Sequence, residues 1–304
     1  MAFCLIHARC RFVRAGQENR HSWRFVRCHA CEHVWLNPRP AISALRVIYP
    51  TNYYAYNYEQ ISALALQGKE FLDRLKMRWI QRHRRTATRA YLDIGCGDGR
   101  YLRAIERLGI PRDQLFGLEV DPRSVEVLAA QGYRVVCERV EDCHHLPEHG
   151  MDLVTMFHVI EHVDDPRRTV EQIVRWLAPE GILAIETPNL DSLDARLFGR
   201  GLWGGFHFPR HWNLFTTKSL TRLLADCRLE ILAVRYQTGH SFWMYSFHHW
   251  LRFGGRRFPR LARAFDPLRS LPFLMLFTGF DIVRAALGFR TSAVLVVARR
   301  PPSP

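Results

Sequence analysis

From Ala90 onward the chain alternates short apolar runs with amphipathic stretches. The runs "AYLDI", "LFGLEV", "YRVVCE", "MDLVTMF" and "GILAIET" have the length of strands. Their nearly unbroken apolar character suits strands covered on both faces. Between them, residues 99–108, 122–131 and 165–177 repeat apolar positions at helical spacing. This alternation predicts an α/β fold with a doubly wound, mostly parallel sheet, and ligands at the carboxyl ends of its strands. Two later runs, "LEILAVRYQ" and "TSAVLVVARR", follow the helical stretch "TKSLTRLLADC" and raise the expected sheet to seven strands. They are expected to pair as an antiparallel edge around a long insertion, 238–290. Upstream, 41–88 reads as a helical linker ending in a basic, solvated face. Residues 1–40 are rich in Cys and His, show no helical period, and form a small cap. The remainder, 89–304, forms the main domain.

Composition narrows the class. The chain has 304 residues, 48% of them apolar, which supports a real core. Its formal charge of +14 points to an anionic partner surface, either nucleic acid or membrane. Eight cysteines over this length do not make a disulfide framework, and the opening "MAFCLIHARC" lacks the apolar region of a signal peptide. A reducing cytoplasm is the expected location. The apolar stretch "LPFLMLFTGF" is too short to span a bilayer, so any membrane contact of the insertion is expected to be peripheral, at the inner face.

The stretch "YLDIGCGDGRYL", Tyr91 to Leu102, ends a strand in an acid and turns through Gly95, Gly97 and Gly99 into a helix. Such a turn lets a ligand approach bare backbone. The third glycine comes one residue early for the dinucleotide fingerprint G-x-G-x-x-G. Asp93 and Asp98 also repel a pyrophosphate and favour a ligand with a positive centre.

This loop, the "LFGLEVD" that follows it and "MDLVTMFHVIEHVDDP" together resemble the class I S-adenosylmethionine-dependent methyltransferases. The likeness is to the branch related to ubiquinone and sugar methyltransferases. It implies a Rossmann-like fold over about Ala90 to Arg299, and S-adenosyl-L-methionine as cofactor. Asp93 would lie near the methionine moiety, with Gly95 and Gly97 allowing close approach. Glu119 would accept both ribose hydroxyls, and Asp142, or its neighbour Glu141, the adenine amine. The string "HVIEH" also matches an inverted zinc-protease pattern, but a strand feeds it and that reading fails. The resemblance places His158 beside the cofactor and His162 as a candidate base. In "GRGLWGGFHFPRHWNLFT", Trp203, His207, Arg210 and His211 sit among Gly199, Gly201, Gly204 and Gly205, which read as hinges of a lid over the substrate. His211 is a further catalytic candidate. The competing view makes Trp212 and Phe215 core anchors.

"CHACEHVWLNPRP" followed by "YPTNYYAY" resembles the leader of a bacterial subgroup with a zinc-binding N-terminus. Cys4-x-x-His7 and Cys28-x-x-Cys31 offer four ligands for a structural zinc, with Cys10 competing; the alternative is free thiols. The insertion mixes tryptophans, arginines and short apolar runs, which suits a membrane interface, a lid or a dimer surface. Trp243, Trp250 and Phe273 are the side chains expected at a membrane boundary. The expected reaction is methylation of an oxygen, or a carbon, of a small or lipid-linked acceptor. That acceptor is a sugar or polysaccharide precursor, or a quinone-like phenol. The alternatives are an RNA methyltransferase, supported by charge alone, and an inactive cofactor-binding scaffold. No RNA-binding module accompanies the charge, so nucleic acid is not the expected partner.

Overall fold

The computed structural model describes residues 3–7, 13–14, 17–18, 24–41, 63–199, 201–254, 258–266 and 270–302; in 3–7, 13–14, 17–18, 63–69 and at 259 it describes backbone alone. The chain divides into two compact units. One holds Met1–Ile48, Thr187–Leu220 and Arg235–Leu295; the other holds Tyr49–Glu186, Thr221–Val234 and Val296–Pro304.

In the first unit the strands are β1 (Phe3–His7), the small hairpin β2 (Val13–Arg14) and β3 (Gln17–Glu18), then β4 (Arg24–Cys28) and β5 (Val34–Leu36). The second unit begins with α1 (Ala63–Gln81) and then alternates as its apolar pattern predicts. β6 (Tyr91–Ile94), α2 (Arg100–Glu106), β7 (Leu115–Glu119), α3 (Pro122–Ala130) and β8 (Arg134–Cys137) come first. β9 (Met151–Phe157), α4 (Pro166–Trp176) and β10 (Leu177–Pro188) follow. Next in the chain come α5 (Leu193–Phe198) and β11 (Asn213–Leu214), which belong to the first unit, then α6 (Thr217–Asp226) and β12 (Glu230–Gln237). The insertion supplies α7 (His240–Phe253), α8 (Pro259–Ala262) and α9 (Leu271–Ala286), and β13 (Ala293–Arg299) closes the series.

Among the described residues the large sheet has seven strands in the order β12-β13-β10-β9-β6-β7-β8, parallel from β10 to β8. β12 and β13 are neighbours, as expected for the two strands that flank the insertion. β6 is buried along its whole length, which is why its sequence does not alternate. Asp165 starts α4: its carboxylate accepts the amides of Arg167 and Arg168, and Pro166 supplies a preset first turn. β10 starts at Leu177, earlier than the run "GILAIET", and absorbs the extra residues in a register shift before Ile182.

In the first unit, β1-β4-β5-β11 form a second sheet. Against it, Phe25, Val34 and Leu36 share a core with Trp203, Phe206 and Trp212. The stretch read as a hinged lid is therefore packed. A Cβ on Gly205 would meet the Trp203 ring at 2.3 Å, and one on Gly204 would meet the Phe242 carbonyl oxygen at 2.5 Å. These two glycines give room for neighbours, and no hinge is needed to account for them. Trp212 and Phe215 are buried core anchors.

Two aspartates anchor the insertion within the same unit. Trp203 Nε1 donates to Asp194 Oδ2 at 2.7 Å, and Trp243 Nε1 donates to Asp281 Oδ1 at 3.1 Å. Ser292 Oγ lies within reach of both carboxylates, and the Gly239 amide donates to Asp281 at 2.8 Å. Trp243 is buried and stacks on Phe277, and Phe273 stacks on Phe265. Of the three boundary candidates, Trp250 alone is exposed. Trp243 turns inward, where its indole N–H satisfies the buried Asp281, and Phe273 is half-buried.

Candidate active site

The carboxyl ends of β6, β7, β9 and β10 collect the polar groups of the second unit. Asp93, the penultimate residue of β6, is buried. Its Oδ1 accepts a hydrogen bond from Thr155 Oγ1 at 2.7 Å, and Thr155 in turn lies 2.6 Å from the Tyr91 hydroxyl. Asp93 Oδ2 is buried without a partner. Desolvation pushes the Asp93 carboxyl up to about 7, against the opposing pull of Thr155 and Arg100.

The three glycines after it do different work, although all have positive φ. A Cβ on Gly95 would strike Val159 Cγ2 at 2.4 Å, and one on Gly99 would strike Leu128 Cδ2 at the same distance. A Cβ on Gly97 would meet nothing within 4 Å. Gly97 is thus the position of the turn whose Cα faces open space. Asp98 is engaged by Arg103, Nη2 to Oδ2 at 3.2 Å.

Glu119 ends β7 with both oxygens employed. Oε2 accepts the Gly97 amide at 2.8 Å, and Oε1 accepts the amides of Val120 at 2.7 Å and Asp121 at 3.1 Å. The acid therefore fastens the glycine turn to the neighbouring strand. A carboxylate accepts about four hydrogen bonds, so this leaves capacity for a ligand. Beyond β8, Glu141 accepts from Arg139 and from the Asp164 amide, both at 2.9 Å, whereas Asp142 is exposed. Glu141 is committed to holding its loop.

His158 follows β9 with a φ of 56°, a left-handed conformation uncommon outside glycine. Its amide donates to the Glu186 carbonyl at 2.8 Å. Its ring lies between two carboxylates, Nδ1 at 3.3 Å from Glu161 Oε1 and Nε2 at 3.3 Å from Glu186 Oε1. Burial alone would lower the imidazole, but the two acids outweigh it and lift it to about 9. The ring keeps 40% of its side-chain surface open, so solvent tempers the effect without reversing it. His158 is accordingly an imidazolium at neutral pH. That state favours donating a hydrogen bond over taking up a proton. Burial would raise the Glu161 carboxyl, but the hydrogen bond and charge of His158 lower it.

Sequence reasoning missed the other half of this network. Lys76 of α1 places Nζ 2.6 Å from Glu186 Oε2, 3.3 Å from the Tyr101 hydroxyl and 5.0 Å from the centre of the Phe157 ring. Tyr101 donates to Asp73 at 2.9 Å. Burial would raise Glu186, but Lys76 and His158 bring it down to about 2. The helical spacing held the signal: Asp73, Lys76, Met77 and Ile80 share one face, and Asp73, Met77 and Ile80 are buried. Two charges on a face otherwise apolar mark a site, and attention to the basic, solvated end of the segment passes over them.

His211 lies in the first unit. It is buried, and its Nδ1 is 2.7 Å from the Gly205 carbonyl oxygen, a contact that places the ring proton on Nδ1. Cys28 and Cys31 are free thiols in a tight turn of the same unit, with the Cys28 amide donating to the His33 carbonyl at 2.9 Å. Amides of Cys31 and Ala30 directed at the Cys28 sulfur lower its thiol. The side chains of Cys4 and His7, and all of Cys10, lie outside the described residues.

A family described as "Methyltransferase domain" matches residues 66–234, more than half of the chain. The chain belongs to this methyltransferase family, within the class I S-adenosylmethionine-dependent group. It is 33% identical over 158 residues to a "Ubiquinone biosynthesis O-methyltransferase" of Bradyrhizobium diazoefficiens, covering 46% of this chain and 58% of that protein. It is 31% identical over 145 residues to a "Probable S-adenosylmethionine-dependent methyltransferase" of Mycolicibacterium smegmatis, covering 42% and 53%. The chain thus spans little more than half the length of these relatives. Among solved structures, the 1,6-didemethyltoxoflavin-N1-methyltransferase of Burkholderia thailandensis has a TM-score of 0.52 at 14% identity, covering 97% of this chain and 100% of that one. This last likeness is one of fold.

Proposed function

We propose that the protein transfers a methyl group from S-adenosylmethionine to an oxygen of a small or lipid-linked acceptor, such as a sugar precursor or a quinone-like phenol. One observation carries the cofactor assignment. Asp93 Oδ2 is buried and unpaired at a strand end, beside a glycine that faces open space. An unpaired buried carboxylate is costly in isolation and is relieved by a cation. S-adenosylmethionine carries positive charge and no phosphate, and it supplies a methyl group on a sulfonium. Asp93 would hold its amino group, Glu119 a ribose hydroxyl through its remaining acceptor place, and Asp142 the adenine amine. The likeness to ubiquinone biosynthesis O-methyltransferases supports oxygen as the methylated atom.

His158, fixed as a cation by Glu161 and Glu186, would orient the acceptor by donating to it. The base for a hydroxyl is then His162 or His211. In the first unit we assign Cys28 and Cys31 as two ligands of a structural zinc, with Cys4 and His7 completing the set. The amides directed at Cys28 support this, because they stabilise a thiolate. The insertion is assigned a peripheral contact with membrane.

Calorimetry tests the cofactor. S-adenosylhomocysteine should bind and NAD should not, and Glu119→Ala should weaken binding by about 1.5 to 3 kcal/mol, the scale of one charged hydrogen bond. Heat from NAD with none from S-adenosylhomocysteine overturns the reading.

A further inference from the structure

The helix α9 is held from one side. Phe277 and Asp281 are buried, and Arg284 Nη1 lies 3.5 Å from Asp281. Its other side carries Met275, Leu276, Val283 and, just past its end, Leu287, which are 64%, 59%, 58% and 68% exposed. Positions 275, 276, 279, 282, 283 and 286 repeat at helical spacing and include no charge. Twelve of the nineteen large apolar side chains that stand exposed among the described residues fall within 238–290. So concentrated a patch marks an interaction surface.

Charge selects the occupant. Residues 238–290 contain eight arginines against two aspartates, with no lysine or glutamate. One of those aspartates, Asp281, is buried. Arg252, Arg260 and Arg263 are exposed, interleaved with exposed Trp250, Phe253 and Phe258. A two-fold dimer through this face would bring arginines toward arginines. RNA could stack on Trp250, Phe253 and Phe258 but would leave the aliphatic stripe of Met275, Leu276 and Val283 without a partner. Anionic lipid satisfies both halves, headgroups for guanidinium and acyl chains for Met, Leu and Val. α9 has sixteen residues, and no described helix is long and apolar enough to cross a membrane.

We infer that the outer face of α9, with the arginines of α7 to α8 and the turn after them, lies in the plane of an anionic phospholipid bilayer. This deepens the membrane contact proposed above and rests on it. It does not depend on the acceptor or on methyl transfer.

The test is flotation of the full chain with vesicles of phosphatidylcholine alone or of equimolar phosphatidylcholine and phosphatidylglycerol, over a salt series, with RNA as competitor. Wild-type protein should float with the anionic vesicles, less so at high salt but still measurably, and poorly with the neutral ones. Leu276→Glu with Val283→Glu should abolish flotation at every salt concentration. Because both side chains are exposed, the melting temperature and S-adenosylhomocysteine binding should remain unchanged. Arg260→Gln with Arg263→Gln should weaken binding about tenfold or more at low salt and flatten the salt dependence. Three results overturn the inference: no flotation at low salt, displacement by RNA, or a wild-type oligomer that the glutamate pair dissociates. Loss of cofactor binding by wild-type protein would instead count against the methyltransferase reading and leave the membrane result standing.

Discussion

Lys76 Nζ lies 2.6 Å from Glu186 Oε2, while the ring of His158 meets the other oxygen of the same carboxylate. One buried acid thus joins the helix before the sheet to the turn after β9. Glu186→Gln should remove one of the two acids holding His158 and bring its pKa from about 9 toward the ordinary value near 6.5. It should also cost roughly 3 kcal/mol, the scale for breaking a buried pair. Histidine titration by NMR and urea unfolding would measure both. An unmoved His158 titration would show that Glu186 does not control it.

The same pair sets a pH dependence. His158 is raised in the folded state, so its stabilisation is complete below about 6.5 and is lost as pH climbs through about 9. Glu186 is lowered, so its contribution is complete above about 4.5 and is lost as pH falls through about 2. Stability curves of wild type and His158→Gln should therefore converge above pH 9. Parallel curves across that range would remove the linkage.

Asp93 acts in the opposite sense. Its carboxyl is raised to about 7, so its ionisation penalises the ligand-free fold increasingly from about pH 4 to 7. A cationic ligand at Oδ2 should restore the carboxylate and expel about half a proton at neutral pH. Calorimetry of S-adenosylhomocysteine in buffers of different ionisation enthalpy reads this directly. Asp93→Asn should eliminate the buffer dependence, and its persistence in that variant would assign the proton elsewhere.

Gly95 and Gly97 should respond differently to alanine. Gly97→Ala incurs the left-handed strain, about 1 to 2 kcal/mol, with no clash inside the protein, so its main effect should be on ligand affinity. Gly95→Ala adds an overlap with Val159 and should lower the melting temperature more. Equal losses of stability would mean that Gly97 also faces protein.

Freshly reduced protein should carry about one zinc, and Cys28→Ser with Cys31→Ser should release it and loosen the cap. Metal analysis of the two preparations decides the matter, and zinc-free wild-type protein would leave the thiols as plain packing groups.

Much of the second unit was legible because local and long-range demands agree there. Asp93 and Glu119 stand where buried apolar strands stop, and the glycines between them fit no helix. Lys76 and Glu186 were harder to see: each is an ordinary charge in its own segment, and they meet only when α1 lies beside the end of β10. Glycine content also failed to separate motion from close packing at Gly204 and Gly205, since a missing Cβ serves either purpose. The aromatic insertion misled for a related reason. Trp243 and Trp250 look alike in sequence, and the buried Asp281 decides which of them turns inward.

The attachment of α9 has an evolutionary consequence. Among the described residues, the contacts that hold the helix cluster on the side of Phe277 and Asp281, so the fold places little demand on the residues of the opposite side. Those positions are free to drift, or to be rewritten by design, without a toll on folding. Descendants of one scaffold can therefore change what they adhere to while leaving their chemistry untouched.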